Sequence, residues 1–409
     1  MKLALDHSTD RSAPDDPGLR GTNQTGMREQ NERLVLSLVR QQGALAKTDI
    51  ARITGLSAQT VSVIMRSLES DGLLQRGEPV RGRIGQPSVP MMLNADGAYF
   101  LGLKIGRRSA DLTLIDFQGK VRATRRQIYA YPTPTSLLAF VAKTMPEITA
   151  ILPLAQQPRI SGMGVAMPFQ LWNWVQTIGA PQSEMDAWRN LDIQSELAAL
   201  TAMPVYVQND ATAACGAELV FGTGDRPKDF LYFYFGYFIG GGLVLNGQLY
   251  TGRTGNAAGV GPMPVPGPNG QMRRLLDVAS LSTLAAAMDA ANEPSGYLWE
   301  NPVEWQVTPA ILSGWIDTVA EGLASAILSA STLLELNAVI IDGWLPTSVR
   351  AEITKRTAAA FHRLDLAGID PPQIREGTVG AQARSLGAAA IPLSQRYLID
   401  QNAALRDAS

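Results

Sequence analysis

Residues 48–66 read TDIARITGLSAQTVSVIMR, and the order of small, turning and branched residues in this stretch decides how the first part of the chain folds. Two helices that cross closely need a small residue in the first, which Ala51 supplies. They need a residue tolerant of positive φ between them, and Gly55 stands four positions on. The second helix needs apolar groups on its inner face, here Val61 and Ile64. Thr48 and Ser57 are the expected N-caps. The pattern predicts a helix-turn-helix whose second helix presents Gln59, Thr60 and Ser62 at its front, with Arg66 further along. Polar side chains so placed reach base edges in the major groove. Thr48, Ser57, Gln59, Thr60, Ser62 and Arg66 therefore make up the expected face toward double-stranded DNA.

Upstream, Leu34, Leu36, Leu38 and Val39 give a first amphipathic helix, and residues 1–27 are polar, rich in turn formers and expected to be a disordered tail. Downstream, Gly77 to Pro90 is dense in Gly, Pro and Arg, which suits a wing and a linker. Arg81 and Arg83 in this strip either enter a narrow minor groove or belong to a solvated connection. From Arg28 to Arg83 there are nine basic and six acidic residues, an excess opposite in sign to the whole chain's net charge of −2. Residues 28–90 are thus expected to form a winged helix-turn-helix with its linker.

The remaining chain is of another kind. Hydrophobic content of 45% and charged content of 18% over 409 residues describe globular domains. One cysteine, Cys215, excludes an intramolecular disulfide, and two histidines, His7 and His362, leave almost nothing for a structural zinc site. No run reaches the roughly 18 apolar residues of a membrane helix, and Ile311 to Leu336 reads as a buried helix broken by Asp317 and Glu321. The N-terminus lacks the apolar centre of a signal peptide, so a cytoplasmic protein without a membrane partner is expected. After Asn94, strands are expected at Ala98–Ile105, Asp111–Asp116, Val121–Tyr129, Ile160–Ala166, Pro204–Val207, Phe230–Phe235, Gly242–Leu245 and Ala338–Asp342. Helices alternate with them, which predicts an α/β domain in two lobes over residues 94–409.

With these patterns in place, the chain resembles the ROK family of sugar-responsive repressors and sugar kinases. The resemblance rests on "GRIGQPSVPMMLN", "FLGLKIGRRSADLTLIDFQGK", "VQNDATAACGAELVFG", "GGGLVLNGQLYTG", "GNAAGVGPMPV" and "LGAAAIPL". It implies an actin-like (ribonuclease H-like) two-lobed sugar-kinase-type fold, a homodimer or dimer of dimers, and a small sugar-like effector between the lobes. Asn209, Asp210, Gln182, Asn256, Asp277 and Trp172 are the ligand residues it implies. Asn209 serves either the ligand or as a helix cap; Trp172, Trp174 and Trp188 serve either as ring platforms or as packing.

The departures from the family's pattern are as informative as the matches. Kinases of the family open with an acidic residue and a small loop around the phosphates; here Lys104 and Gly106-Arg107-Arg108-Ser109 stand there. Gly236-Tyr237-Phe238 replaces a second small loop, and Asp342-Gly343-Trp344 replaces a glycine-rich turn. Phosphoryl transfer depends on positioning and electrostatic stabilisation, so a chain without that cradle is expected to have no catalytic residues and no cofactor, although Asp210 matches the family's base. The family's zinc ligands correspond to Pro262, Pro268, Gly270 and Leu275, so no metal is expected. Prolines and apolar Met263, Leu275 and Leu276 would hold the loop instead. Gly259 and Pro262 replace two sugar-holding groups, which leaves a different ligand, weak sugar binding or no ligand. The competing readings are a sugar kinase with an accessory DNA-binding head and a repressor controlled by a docked protein.

Overall fold

The computed structural model describes residues 24–79, 89–174, 179–267 and 270–399. Three helices open it: α1 (Gln24–Gln42), α2 (Lys47–Thr54) and α3 (Ala58–Ser70). Val61, Ile64, Met65 and Leu68 recur at helical spacing on α3 and are all buried. Each such side chain contributes about 1.5–3 kcal/mol. α1 starts at Gln24, earlier than the expected end of the tail at residue 27, while residues 1–23 lie outside those described.

β1 (Leu74–Arg76) pairs antiparallel with β2 (Met91–Leu93), so Gly77 to Pro90 connects the two strands of the wing. The expected linker is corrected by this pairing: β2 belongs to the wing, and Asn94 follows it directly, capping a short 3-10 turn. Residues 80–88, with Arg81 and Arg83, lie outside those described.

Two five-stranded sheets follow, with one topology used twice. The first has the order β5-β4-β3-β6-β7, made of β3 (Tyr99–Ile105), β4 (Ser109–Asp116), β5 (Val121–Ile128), β6 (Ile160–Met167) and β7 (Val205–Asn209). The second has the order β10-β9-β8-β13-β14, made of β8 (Phe230–Phe235), β9 (Ile239–Leu245), β10 (Gln248–Tyr250), β13 (Ala338–Gly343) and β14 (Gln373–Glu376). In both, an antiparallel meander is extended by two parallel strands. This is the duplicated ribonuclease H-like arrangement of an actin-like fold. The helices of the first lobe are α4 (Pro134–Thr149), α5 (Gln182–Asp186) and α6 (Ile193–Thr201). Then come α7 (Asp210–Phe221), α8 (Leu281–Ala290), α9 (Pro309–Ser331), α10 (Thr347–Phe361) and α11 (Ala383–Tyr397). By length and composition α9 could cross a membrane, but Trp315, Ile316, Val319, Leu323 and Ile327 bury one side of it in the second-lobe core.

Two helices lie between the sheets, and glycine lets them approach. A Cβ on Gly164 of β6 would stand 1.9 Å from the Ala388 carbonyl oxygen of α11, and one on Gly102 of β3 would stand 2.5 Å from the Ala389 nitrogen. α11 thus lies on the first sheet, α7 on the second, and the two helices touch through Gly387 and Ala213.

The head is not loosely tethered. Val35, Leu36, Val39, Ile50, Val61 and Leu68 share one buried cluster with Phe100 and Phe117 of the first lobe, Val220 of α7 and Leu393 of α11. Arg40 of α1 lies over the Phe117 ring at 5.4 Å and donates to the Phe117 carbonyl. The Ile399 amide donates to Ser37 Oγ at 3.0 Å.

Candidate DNA-reading face and inter-lobe cleft

Gly55 adopts φ +72° and its amide closes α2 on the Ala51 carbonyl at 3.0 Å, the geometry the sequence requires of it. Ser57 Oγ accepts the Thr60 amide at 3.1 Å, which caps α3 and contributes about 1 kcal/mol. Ser57 Oγ and Thr60 Oγ1 also share a hydrogen bond at 2.8 Å. Thr48 is not a cap. The cap of α2 is Ala46, because Leu45 is held extended by a two-way backbone bridge to Met91 of the wing, and the helix starts straight after it. Thr48 is exposed in the first turn.

On the outward side of α3, Gln59 and Arg66 are exposed and Ser62 is half-buried, its carbonyl accepting Arg66 Nε at 3.2 Å. The structure adds Val63, 44% exposed on the same helix. An apolar group there suits a thymine methyl; its only signal in the sequence is a branched residue off the buried stripe. Gln59→Ala is expected to lower discrimination between operator and random DNA by about 1–3 kcal/mol, measured by competition gel shift at fixed salt. Equal weakening on both duplexes would remove Gln59 from the reading face.

The second site lies between the lobes. Lys104, near the end of β3, places Nζ 3.2 Å from Asp111 Oδ2 and donates to Ser109 Oγ at 2.7 Å. Asp111 also receives Arg126 in a fork, with Nε at 2.5 Å from Oδ1 and Nη2 at 3.3 Å from Oδ2. Arg384, at the start of α11, pairs with Asp210 at 3.2 Å and lies over the Tyr234 ring at 5.0 Å. Arg107 lies 4.6 Å from the Phe238 ring centre, and Arg126 lies 5.1 Å from that of Trp344. Tyr237 packs against Trp299 at 5.2 Å. Beneath, Asp342 is fully buried and accepts from the amides of Gly343 and Gly380, from Tyr232, and from Arg350 at 3.1 Å.

Burial pushes the Lys104 ammonium down to about 8, with Asp111 opposing and Arg384 and Arg126 adding to the fall. The unfolded chain therefore holds one more proton at this residue between that value and the ordinary lysine value near 10.4. Its contribution to stability rises with pH across that window. Urea midpoints should show wild type gaining on Lys104→Met from pH 8 to 10; a constant difference would refute the depressed ammonium.

Most of the residues expected to hold a sugar have partners within the chain. Asn209 is the cap of α7, its Oδ1 accepting the amides of Ala211 at 3.0 Å and Thr212 at 3.2 Å. Gln182 is exposed and donates to Asp186. Asp277 is forked by Arg274 at 2.8 and 2.9 Å, and Asn256 is exposed in the turn after β10. Trp172 packs against the first-lobe core and under Arg189. Trp188 is buried there, donating to the Pro132 carbonyl at 2.9 Å. The side chain of Trp174 lies outside those described. Of the expected ligand residues, Asp210 alone touches the cleft, through Arg384.

The segment to which the resemblance assigns zinc ligands holds a small hairpin: β11 (Pro264–Pro266) pairs with β12 (Met272–Arg274), and Val265, Leu275 and Leu276 are buried. Met263 packs against the same core. Among the described residues no three His, Cys, Asp or Glu side chains are grouped to hold a metal ion. Pro268 lies outside those residues.

The chain thus joins a winged helix-turn-helix, through a shared core, to a two-lobed, actin-like domain. Residues 100–275 match the ROK family model and residues 28–75 match a winged helix-turn-helix DNA-binding model. The xylose repressor of Bacillus subtilis is 22% identical over 59% of this chain and 62% of its own length. Among solved structures, a ROK family transcriptional regulator homologous to the E. coli MLC protein covers 93% of this chain and 99% of its own, at 20% identity and TM-score 0.66. A ROK family glucokinase from Streptomyces griseus, solved with glucose and AMPPNP, covers 72% of this chain and 99% of its own, at 19% identity and TM-score 0.56.

Proposed function

We propose that this protein is a sequence-specific DNA-binding repressor of the ROK type, with residues 24–93 as its reading head and residues 94–399 as a sensor that answers to a small sugar-like effector. The observation that carries this reading is the shared core. A head whose helices pack into the same apolar cluster as the sensor lobe is placed to be moved by it. The similarity to the xylose repressor supports the same reading. A two-fold assembly would set two α3 helices on half-sites one helical turn or a multiple apart.

Kinase chemistry is absent in this reading. Asp210, which matches the family's base, has its carboxylate on Arg384. The Phe238 ring and the Arg107 guanidinium stack where the resemblance places phosphate-cradling loops. A base already charge-paired beside a filled cradle supports sensing over transfer.

Gel shift of fragments from the chain's own genomic neighbourhood, at stated salt, tests the reading. Retention of one fragment against excess competitor DNA is the expected result. Absence of any sequence preference would end it, and turnover of ATP with a sugar would replace it with the kinase reading.

A further inference from the structure

We propose that the groove between the head and the sensor, walled by α1, α7, β10 and α11, binds a small organic anion with an apolar body. The regulatory consequence rests on the repressor reading, but the binding itself does not require DNA.

The groove holds a cavity of about 470 Å³, within the range of about 300–1,000 Å³ usual for small-molecule pockets. Its head wall is one face of α1, where Arg33, Ser37, Arg40 and Gln41 recur at helical spacing. Arg226, just past α7, adds a third guanidinium. Among the described residues no aspartate or glutamate lines the cavity. The bonds of two of these arginines go to neutral acceptors: Arg40 donates to the Phe117 carbonyl, and Arg226 to the Gly222 carbonyl at 3.1 Å. Asp116 attracts Arg40, but that carboxylate is held by Arg122 at 2.8 Å.

Arg40 is the deepest of the three. Its Nε is buried with no hydrogen-bond partner within the protein, so part of its donor capacity is unused. Burial pushes its guanidinium down to about 10, with Asp116 opposing and Arg226 adding to the fall. A cation out of water without a paired carboxylate is costly, and an anion in the groove offsets that cost. Guanidinium forks match a carboxylate or a phosphate in geometry as well as in charge.

The sensor side of the groove is of another kind, and this narrows the ligand. Leu219 and Val220 of α7, Leu249 of β10 and Ala390 and Ile391 of α11 give it an apolar floor. Inorganic phosphate would leave that floor and most of the volume unfilled. An oxyanion head toward the arginines with a hydrocarbon body on the floor satisfies both walls. Such a molecule touches the first head helix and two sensor helices at once, so its binding bears directly on the joint between them.

The test uses the full-length protein and calorimetric titration with 2-naphthoate, octanoate and 1-naphthyl phosphate, with 2-naphthol and octanol as uncharged counterparts. These arms separate a carboxylate from a phosphate head and an aromatic from an aliphatic body. At least one anion should bind tenfold or more tightly than its uncharged counterpart, with affinity falling as salt rises. Arg40→Gln and Arg226→Gln should each weaken that binding by tenfold or more. Arg108→Ala, in the cleft between the lobes, should leave it unchanged. Should Arg40→Gln unfold the protein, Arg226→Gln decides, because that residue is exposed and its bond stays within four residues. No binding of any anion, equal binding of charged and uncharged probes, or unchanged affinity in Arg226→Gln overturns the proposal, and so does loss of binding in Arg108→Ala. Failure here with operator binding intact removes this site alone. Loss of sequence-specific DNA binding in the unmodified protein removes the repressor reading and leaves the titration standing.

Discussion

Gly164→Ala is expected to destabilise this protein by about 3 kcal/mol or more, at the upper end of overpacking effects. A methyl group at that position would stand 1.9 Å from the Ala388 carbonyl oxygen and 2.9 Å from Pro392 Cδ. Backbone of α11 cannot yield as a flexible side chain would, so the helix must lift from the first sheet. The expected readout is a large fall in urea midpoint without a change in slope. Gly314→Ala is the control. That glycine is exposed on α9 with nothing within 4 Å of its missing methyl, and alanine there should stabilise by about 0.4–1 kcal/mol. If both variants behave alike, the close approach of α11 to β6 is wrong.

Asp111→Ala should cost about 3–5 kcal/mol, because it leaves Lys104 and Arg126 facing each other without their shared partner. Burial pushes the Asp111 carboxyl up, yet Lys104 and Arg126 outweigh it and hold the group below the usual carboxylate range. A carboxylate held low stabilises the fold above its unfolded value of about 3.9 and loses that contribution as pH falls through the native one. Wild type should therefore lose part of its advantage over Asp111→Ala as the pH is taken down through the acid range. A pH-independent difference would place the charge of Asp111 elsewhere in the balance. The same variant should disturb the cleft, since Asp111 fixes both Lys104 and Arg126.

What could be read in the sequence was local chemistry. Gly55 and Ser57 act within one or two turns, so a left-handed cap and a hydroxyl cap follow from their neighbours alone. The strands of both lobes were legible because branched and aromatic runs such as Phe230–Phe235 are buried on both faces. Thr48 misled because the start of α2 is fixed by a bridge from Leu45 to Met91, across the whole head. Gln182, Asp277 and Asn209 show the limit of residue type as a guide: a group that suits a sugar hydroxyl equally suits a neighbouring arginine, aspartate or helix amide, and each has such a partner here. The cationic cleft was half-visible. Lys104 and Arg107 stood out as misfits in a phosphate loop, but their meeting with Arg384 joins positions far apart in sequence, and no periodicity carries that information.

α11 has Arg384 at one end, in the cleft, while the residues just past its other end hold Ser37 of the first head helix. At 1.5 Å per residue, its fifteen residues span about 22 Å. The head cannot swivel on α11 without parting Phe117 and Leu393 from Val35 and Leu36. A lobe tilt of about 5° would carry the groove-reading helix through roughly 2 Å over this arm. Such a shift is comparable to the reach of a single hydrogen bond, so it can part side chains of α3 from base edges while the head stays fully folded.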